Sequence, residues 1–383
     1  MQATDNPSQT STTPPATAAI TAPALADWLR LERTDGVGLL TAHRLLEHFH
    51  TPAAIFAASH AQLLALVKRD QADALLRLAA ADLAAQVEVV MTWLQLQGNR
   101  LLTLDHPDYP QALREIAAPP LMLYLKGRTE LLARPSLAVV GARNASTQGM
   151  LNAARMAQAL SEAGLTIVSG LALGIDAAAH AGGLNGSGST IAVVGTGADR
   201  IYPSRNGKLA RQIAEEGCIV SEYALGTPPL RDNFPRRNRV ISGLARGVLV
   251  VEAAAKSGSL ITARLAAAQG KDLYAMPGSI HATLAKGCHA LIREEGARLV
   301  ETAADILTDM RWLAPGAAGA RPPLDDSFVD RVLDAIGDNP ARAESLAACL
   351  GQSAAELQGQ LLALELAGLI ERLPGGVFQR LRA

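Results

Sequence analysis

The chain has 383 residues, of which 49% are hydrophobic and 3% are aromatic, and its formal net charge is -1. This length predicts two or three domains with sizeable cores, and the composition is typical of globular proteins. The scarcity of aromatic residues argues against an extensive base-stacking surface, and the balanced charge gives no global indication of nucleic-acid binding.

The sequence carries no indication of a membrane or secreted protein. No apolar run approaches the ~20 residues that a membrane span needs, and the first residues lack the basic and apolar segments of a signal peptide. Cys218, Cys288 and Cys349 form no C-x-x-C pair, so we interpret them as buried free thiols in a reducing cytosol. We therefore expect a cytoplasmic protein.

The first hundred residues divide into two segments. Residues 1–23 are rich in Thr, Pro, Ala, Ser and Gln and are predicted to be a disordered tail. Residues 24–98 repeat apolar positions at helical spacing and are predicted to form a small helical domain of the SAM or helix-hairpin-helix type. Its Gly36-Val37-Gly38 turn is one that can hold a DNA phosphate, but Glu32 and Asp35 flank it. A purely structural hairpin is therefore favoured.

Residues 99–310 are predicted to form a Rossmann-like α/β domain that binds DNA. Residues 101–134 have strand character and should pack on the sheet that follows them. Beyond them, short apolar runs alternate with helical patterns and Gly-rich turns, which indicates a parallel sheet covered on both faces. The predicted strands are 137–140, 166–169, 190–194, 218–221, 248–251 and 272–275.

Gly-rich turns follow several of these strands. They lie at residues 140–143 (Val-Gly-Ala-Arg), 169–176, 194–197 and 277–279. In open α/β sheets the ligand binds beyond the carboxyl ends of the strands. Several such turns at one edge are therefore a moderately specific indication of a binding site.

An arginine-rich segment provides the strongest local charge. Residues 231–246 contain five arginines and one aspartate, a net charge of +4. We interpret residues 233–239 as an arginine-dense turn whose Phe234 offers a face to a base. After the next strand, residues 256–259 (Lys-Ser-Gly-Ser) open a helix and can direct backbone N–H groups at an anion. From the residues alone, this arginine-rich segment is interpreted equally well as a solvated face and as an anion-binding site.

The C-terminal part is predicted to be a linker followed by a winged helix. Residues 311–324 are rich in Pro, Gly and Ala, and residues 325–383 show three helical patterns and a wing around residues 374–376. The third helical pattern, at residues 353–366, contains no Lys or Arg. A protein-contacting winged helix is therefore favoured over a reader of duplex DNA.

Common catalytic and cofactor motifs are absent from the sequence. It has no P-loop, no G-x-G-x-x-G after a strand and no H-E-x-x-H, so we expect no cofactor, no metal and no enzymatic activity. Asp176 and His180 share a helix face, where a capping and structural role is favoured over acid–base catalysis. Glu222 and Glu252 end strands, where we favour hydrogen bonding to loop amides.

Taken in order, these motifs closely resemble the DNA-processing protein A family (DprA, also called Smf). The resemblance rests on residues 140–143, 169–176, 202–206, 234–239, 251–263 and 277–278, and it covers about residues 107–307. It implies a single-stranded-DNA-binding protein of natural transformation that protects incoming strands. It also implies that the protein helps RecA onto DNA coated by single-strand-binding protein, and that it forms a homodimer through the Rossmann-like domain.

The resemblance also implies roles for individual residues. Arg143 becomes a phosphate ligand, although the family usually has a serine where this chain has Ala142. Phe234 becomes a base-stacking or wedge residue, and Asn238 either contacts DNA or holds its turn. The full set of implied DNA-binding residues is Gly141, Arg143, Ser169, Gly170, Arg205, Lys208, Phe234, Arg236, Arg237, Asn238, Arg239, Lys256, Ser257, Gly258 and Ser259.

Two other functions stay open at this point. Related Rossmann-like phosphoribohydrolases act on nucleotides through a glutamate and an arginine, for which Glu252 and Arg143 are the candidates. The chain lacks the Gly-Gly-x-Gly-Thr loop of those enzymes. A transcriptional or scaffold role led by the winged helix is the weakest alternative, because its third helix is acidic.

Overall fold

The structure of the chain is a computed structural model. The structure describes residues 20–77, 81–312, 326–337, 340–353, 357, 360–361, 364–365, 369–373 and 376–380. Two compact units form, and they divide after Trp312. Residues 1–19 of the predicted tail and residues 313–324 of the predicted linker lie outside the described residues.

The described residues of the first unit begin with six helices. Thr21 caps the first of them with its hydroxyl, so the helix already starts inside the predicted tail. Ser59 and Gln62 form a capping box at the fourth. Between the first two helices, Gly36 has a φ of +75°, and its carbonyl accepts a hydrogen bond from the Gln71 side chain at 2.7 Å. The helices are α1 Ala22–Arg33, α2 Leu39–Phe49, α3 Pro52–Ala57, α4 His60–Leu64, α5 Arg69–Leu76 and α6 Leu83–Leu94.

A nine-stranded sheet forms the centre of the first unit, and it contains all six predicted strands. Its strands are β1 Asn99–Thr103, β2 Met122–Gly127, β3 Ser136–Val140, β4 Thr166–Ser169, β5 Thr190–Val194, β6 Cys218–Ser221, β7 Gly247–Val250, β8 Asp272–Ala275 and β9 Arg298–Leu299. The order is β1-β2-β6-β5-β4-β3-β7-β8-β9, with β3 to β9 parallel and β2 antiparallel to both its neighbours. Strands β4, β5 and β6 follow one another on one side of β3, and strands β7, β8 and β9 follow one another on its other side. The sheet is therefore doubly wound.

Helices cover both faces of this sheet, as the sequence predicted. Successive strand residues point to opposite faces, so Leu137 and Val139 pack with one helical layer while Ala138 and Val140 pack with the other. The helices after the first strand are α7 Gln111–Arg114, α8 Thr147–Glu162, α9 Ile175–Leu184, α10 Gly207–Glu216, α11 Asn233–Leu244, α12 Ser259–Ala268, α13 Lys286–Glu294 and α14 Ala303–Asp309.

The arginine-rich segment differs from the prediction. Residues 233–239 form the first two turns of α11 rather than a turn of the chain. Pro235 is the third residue of this helix, where its missing N–H leaves no intrahelical bond unmade. The Phe-Pro pair therefore marks a helix start that we interpreted as a turn.

The strand pair β1–β2 joins the N-terminal helices to the sheet. Leu101, Met122 and Tyr124 lie in one core with α1 to α6, and the alternate residues Leu102 and Leu123 lie in the core of the sheet. The strand pair thus contributes side chains to both cores of the first unit.

Cysteine burial agrees with the prediction at two of three positions. Cys218 and Cys288 are buried, and burial raises the pKa of their thiols to about 12 and about 11, respectively. Cys349 is exposed, which corrects its predicted burial, because it lies on the solvent side of an amphipathic helix. All three are free thiols.

The second unit is a winged helix in its described part. It contains α15 Asp326–Ile336, β10 Ala341–Arg342, α16 Ala343–Leu350, β11 Ile370–Leu373 and β12 Val377–Arg380, with sheet order β10-β12-β11. Leu357, Leu361 and Leu364 of the third helical pattern are buried in the same core as Val332 and Phe378. Residues 374–375 of the predicted wing turn lie outside the described residues.

No helix in the described ranges is long and apolar enough to cross a bilayer. Those ranges also contain no group of three His, Cys, Asp or Glu side chains arranged to hold a metal ion.

Loss of the hydroxyl group should affect the free energy of unfolding differently at two buried tyrosines. The Tyr109 hydroxyl donates to the Pro120 carbonyl at 2.8 Å, whereas the buried Tyr124 hydroxyl has no partner among the described residues. We expect Tyr109→Phe to lower the free energy of unfolding by about 1 kcal/mol, and Tyr124→Phe to leave it unchanged or raise it. Urea unfolding followed by tryptophan fluorescence measures both, since Trp28, Trp93 and Trp312 all lie in the first unit. An equal loss in the two variants would contradict the assignment.

Candidate nucleic-acid interface

The carboxyl ends of the parallel strands gather the loops that the sequence indicated. The loops after β3, β4, β5 and β7 all leave the sheet at this edge, because these strands run in the same direction. The edge therefore carries residues 141–146, 170–174, 195–203 and 251–258 together.

One arginine and two aromatic rings form a surface cluster at this edge. The Arg143 guanidinium carbon lies 5.7 Å from the centroid of the Phe234 ring, within cation–π range. The Tyr202 ring lies 5.6 Å from the Phe234 ring, tilted by 39°. Arg143 is exposed, Tyr202 is 44% exposed and Phe234 is half-buried. We call Arg143, Tyr202 and Phe234 the arginine–aromatic cluster.

The Phe234 ring is held from below by the loop after β5. A Cβ atom at Gly195 would lie 3.0 Å from Phe234 Cδ1, so the ring rests on a glycine that leaves space for it. The neighbouring Asn233 amide donates to the Gly195 carbonyl at 3.1 Å, and the Tyr223 hydroxyl donates to the Asn233 carbonyl at 3.0 Å. The start of α11, and with it the ring, is thereby fixed on the sheet edge.

The three arginines of α11 have different surroundings. Arg236 is exposed. Arg239 forms an ion pair with Glu222 at 2.5 Å, and the two side chains are only 15% and 10% exposed. Arg237 is 4% exposed and donates to the backbone carbonyls of Gly170 and Val193. Helical geometry separates the neighbours because successive side chains point about 100° apart, with Arg236 outward and Arg237 inward.

The structure places part of the predicted site in the interior of the fold. Arg237 faces the interior, and so does Ser169, whose hydroxyl donates to the Val139 carbonyl at 2.7 Å and which is fully buried. Gly170 is also buried, beneath the Arg237 guanidinium. In this conformation, none of these three presents a free group to a strand lying on the surface.

The other predicted residues lie around the cluster. Gly141 packs against Ile175 and the Glu252 backbone, where a Cβ would approach to 2.6 Å. Ser257 and Ser259 share a hydrogen bond at 2.7 Å before α12, while Lys256 and Gly258 are exposed. Asn238 is partly exposed on α11. The exposed Arg205 and Lys208 lie at the start of α10.

Buried polar groups set the shape of the loop after β4. The Asp176 carboxylate accepts from the backbone N–H groups of Gly170 and Ala172, at 3.2 and 3.4 Å. His180 Nε2 accepts from the Leu171 N–H at 3.2 Å, and its Nδ1 lies 2.7 Å from the Thr190 hydroxyl. Burial raises the pKa of Asp176, while burial and the nearby Arg237 charge lower the pKa of His180 to about 3. His180 thus has the structural role that the sequence favoured. Asp176 orders the loop before α9 instead of capping this helix, whose N-terminus has no side-chain cap.

Glu252 joins the loops after β3 and β7. Its carboxylate accepts from the Ser146 N–H at 2.9 Å and from the Ser146 hydroxyl at 2.6 Å, and its carbonyl accepts from the Ala142 N–H at 2.7 Å. A Cβ at Gly149 would lie 2.3 Å from the carboxylate carbon, so a glycine at this position leaves the space that the Glu252 side chain occupies. Glu252 thus anchors the loop that carries Arg143.

A small cavity lies beside this anchor. Its volume is about 280 Å³, and it opens between the start of α8 and the ends of β7 and β8. Its walls include Glu252, Asn152, Met276 and Ser279. The predicted turn at residues 277–279 forms part of this cavity rather than of the arginine–aromatic cluster.

The buried, neutral His180 makes the free energy of unfolding depend on pH. Its folded-state pKa of about 3 lies below the usual 6.5, so between these values the unfolded chain binds a proton that the folded chain does not. The stabilisation by His180 is therefore complete above pH 6.5 and is lost as the pH falls toward 3. Relative to a His180→Gln variant, we expect the wild type to lose about 1.4 kcal/mol of unfolding free energy per pH unit below 6.5. Urea unfolding at pH 7 and pH 5 measures this difference, and a constant gap would show that folding does not lower the pKa of His180.

Comparison with known proteins identifies the family of the chain. The model of the family described as DNA recombination-mediator protein A matches residues 100–311, more than half of the chain. The chain belongs to the DprA family. The model of the DprA winged helix domain matches residues 315–376, in agreement with the second unit.

Relatives within the DprA family cover most of this chain. Protein Smf of Escherichia coli K12 is 40% identical over 306 residues, which are 78% of this chain and 82% of that protein. DNA processing protein DprA of Streptococcus pneumoniae R6 is 48% identical over 204 residues, 53% of this chain and 72% of that protein.

Two solved DprA structures are similar to the chain. The X-ray structure of DprA from Streptococcus pneumoniae aligns with a TM-score of 0.65 and 36% identity, over 76% of this chain and 99% of that one. DNA processing protein A from Helicobacter pylori, whose structure was described for its single-stranded DNA binding mode, aligns with a TM-score of 0.51 and 31% identity. That alignment covers 55% of this chain and 95% of the Helicobacter chain.

Tyr202 is the residue of this DprA-family edge that sequence reasoning left out of the site. The Tyr202-Pro203 pair was part of the family motif, but no role was assigned to its ring. An aromatic residue close to a Gly-rich turn after a predicted strand was the signal available. Only the structure brings it next to Phe234, which lies 32 positions later in the chain.

Proposed function

We propose that this chain is a single-stranded-DNA-binding protein of natural transformation. The observation that carries the proposal is the arginine–aromatic cluster at the carboxyl edge of the sheet, where a guanidinium and two rings lie side by side. An arginine binds phosphate with a planar set of donors, and an aromatic ring stacks on any base. A strand with unpaired bases offers both partners at once.

Exposed cations around the cluster support the proposal. Arg205, Lys208, Arg236 and Lys256 are exposed, and like Arg143 they form no ion pair with any residue in the described ranges. Each of them is therefore free to neutralise a phosphate and release a counterion. The chain concentrates this charge at one edge although its net charge is close to zero.

We infer the wider role from family membership. In this role the protein works in the cytoplasm as a homodimer that pairs through the Rossmann-like domain. It binds incoming strands, protects them and helps RecA onto DNA covered by single-strand-binding protein, without enzymatic activity. The DprA relatives and the single-stranded DNA binding described for the Helicobacter pylori protein support the DNA-binding part of this role.

The contacts of Glu252 favour binding over nucleotide hydrolysis. A phosphoribohydrolase interpretation needs this carboxylate as an acid or base, but here both of its oxygens accept hydrogen bonds from Ser146. We therefore assign Glu252 to loop anchoring and make no second proposal.

Binding of the full-length protein to a labelled single strand of about 35 nucleotides, with an equal-length duplex as competitor, tests the proposal. We expect a clear preference for the single strand. The slope of log affinity against log salt should be about -0.7 for each phosphate neutralised. Equal affinity for duplex, or an affinity independent of salt, would refute it. Stimulation of RecA filament formation on strands covered by single-strand-binding protein then tests the wider role.

A further inference from the structure

A buried arginine lies directly beneath the proposed interface. Arg237 is 4% exposed although its neighbour Arg236 is on the surface. Burying a charge is costly unless other groups compensate it, so the partners of Arg237 indicate its role.

The Arg237 guanidinium clamps the loop after β4 onto the sheet. Its Nη1 donates to the Gly170 carbonyl at 2.7 Å and to the Val193 carbonyl of β5. The Asp176 carboxylate supplies the opposite charge and accepts from the N–H groups of Gly170 and Ala172. Gly170 is therefore held through its carbonyl by Arg237 and through its N–H by Asp176.

The clamped loop in turn supports the backbone of Arg143. The Ile175 N–H donates to the Ala142 carbonyl at 3.2 Å. Gly174 has a φ of +77°, and a Cβ there would lie 2.3 Å from the Ala142 carbonyl oxygen and 2.5 Å from that of Arg143. The two loops are in such close contact that a displacement of residues 170–174 must displace Arg143.

We propose that Arg237 is a positioning residue: it fixes the loop at residues 170–174, and through that loop it fixes Arg143 for phosphate binding, without touching DNA itself. This inference rests on the proposed function. It assigns different roles to two adjacent arginines, since Arg236 contributes surface charge and Arg237 contributes geometry.

Gly170 allows a test that leaves every charge in place. A Cβ at Gly170 would lie 2.7 Å from Arg237 Nη1 and 2.8 Å from the guanidinium carbon, so Gly170→Ala must displace the guanidinium. If Arg237 acts through position, this substitution weakens binding even though every charged side chain is still present.

The experiment compares Gly170→Ala, Arg237→Lys and Arg236→Gln in the full-length protein. The first readout is affinity for the 35-nucleotide strand across a salt series. The second is hydrogen exchange of the peptide that contains residues 169–176 in the DNA-free protein. Arg237→Lys keeps a charge beside Asp176 and donors for the two carbonyls, so it should preserve part of the clamp.

We expect two distinct patterns. Gly170→Ala should weaken binding by between about two-fold and about one hundred-fold, the range found for coupled neighbours, and should speed the exchange of residues 169–176. The magnitude of its salt slope should fall by up to about 0.7, because the phosphate contact of the displaced Arg143 is weakened. Arg237→Lys should lie between Gly170→Ala and the wild type in both readouts. Arg236→Gln should reduce the magnitude of the salt slope by about 0.7 with unchanged exchange.

Two results would overturn the inference. One is weaker binding in Arg237→Lys or Gly170→Ala with wild-type exchange of residues 169–176, because Arg237 would then affect DNA binding without acting through the loop. The other is wild-type exchange and affinity in Gly170→Ala. A wild-type protein that binds no single strand would instead refute the proposed function, while the exchange measurement would still decide whether Arg237 clamps the loop.

Discussion

Arg143→Ala should weaken binding to single strands of every sequence by about 1.5–3 kcal/mol, or roughly 10- to 150-fold, since charge-assisted hydrogen bonds contribute about this much. The guanidinium is exposed, has no ion-pair partner in the described ranges and lies over the Phe234 ring. The loss should therefore combine a phosphate contact with a cation–π contact. The magnitude of the salt slope should fall by about 0.7, which a salt titration of the full-length protein measures.

Arg293→Ala is the matched control for this experiment. Arg293 is also an exposed arginine, with 72% of its side chain accessible, but it pairs with Glu294 near the end of α13. Because α13 runs back from the carboxyl edge of the sheet, its last turn lies away from the proposed interface. Its loss should leave affinity and salt slope unchanged. If Arg143→Ala altered the preference for one base alone, its assigned contact with phosphate would be wrong.

Phe234→Ala should cost about 1–3 kcal/mol of binding free energy, because it removes one aromatic face on which a base can stack. The affinity should fall by about 5- to 150-fold while the salt slope stays at its wild-type value, since no cation is lost. The same salt titration separates this effect from that of Arg143→Ala.

Phe234→Leu and Phe234→Tyr are the matched controls for stacking. Leu retains an apolar side chain over Gly195 but has no ring, whereas Tyr retains the ring. Stacking therefore predicts that Leu resembles Ala and that Tyr resembles the wild type in affinity. If Leu instead binds like the wild type, the role of Phe234 is to pack the start of α11 rather than to hold a base.

The strands of the sheet were predictable because of their burial. Strands β3 to β8 are covered by helices on both faces, so they appear in the sequence as short apolar runs between Gly-rich turns. The predicted bounds agree within one residue, with β7 starting at Gly247 rather than at Val248. The antiparallel pairing of β2 with β6 was not predictable, because it joins segments about 95 positions apart that carry no pairing signal.

The residue types of the candidate site could be predicted from the sequence, but the directions in which their side chains point could not. Arg143 and Phe234 were identified from their motifs, and the structure brings them together. Arg236 and Arg237 are chemically the same residue at adjacent positions, and their separation into surface and interior depends on the start of α11. Tyr202 joins the cluster only through the tertiary fold.

The strand pair β1–β2 affects how this protein can be divided for experiments. Successive side chains of this pair point into two different cores, and those of Leu101, Met122 and Tyr124 are covered by the N-terminal helices. A truncated protein that starts at residue 99 would expose these side chains to water as an apolar patch that promotes aggregation. A cut after Trp312 falls between the two compact units and keeps each core whole. Truncations for crystallography or NMR should therefore retain α1 to α6 with the sheet and separate only the winged helix.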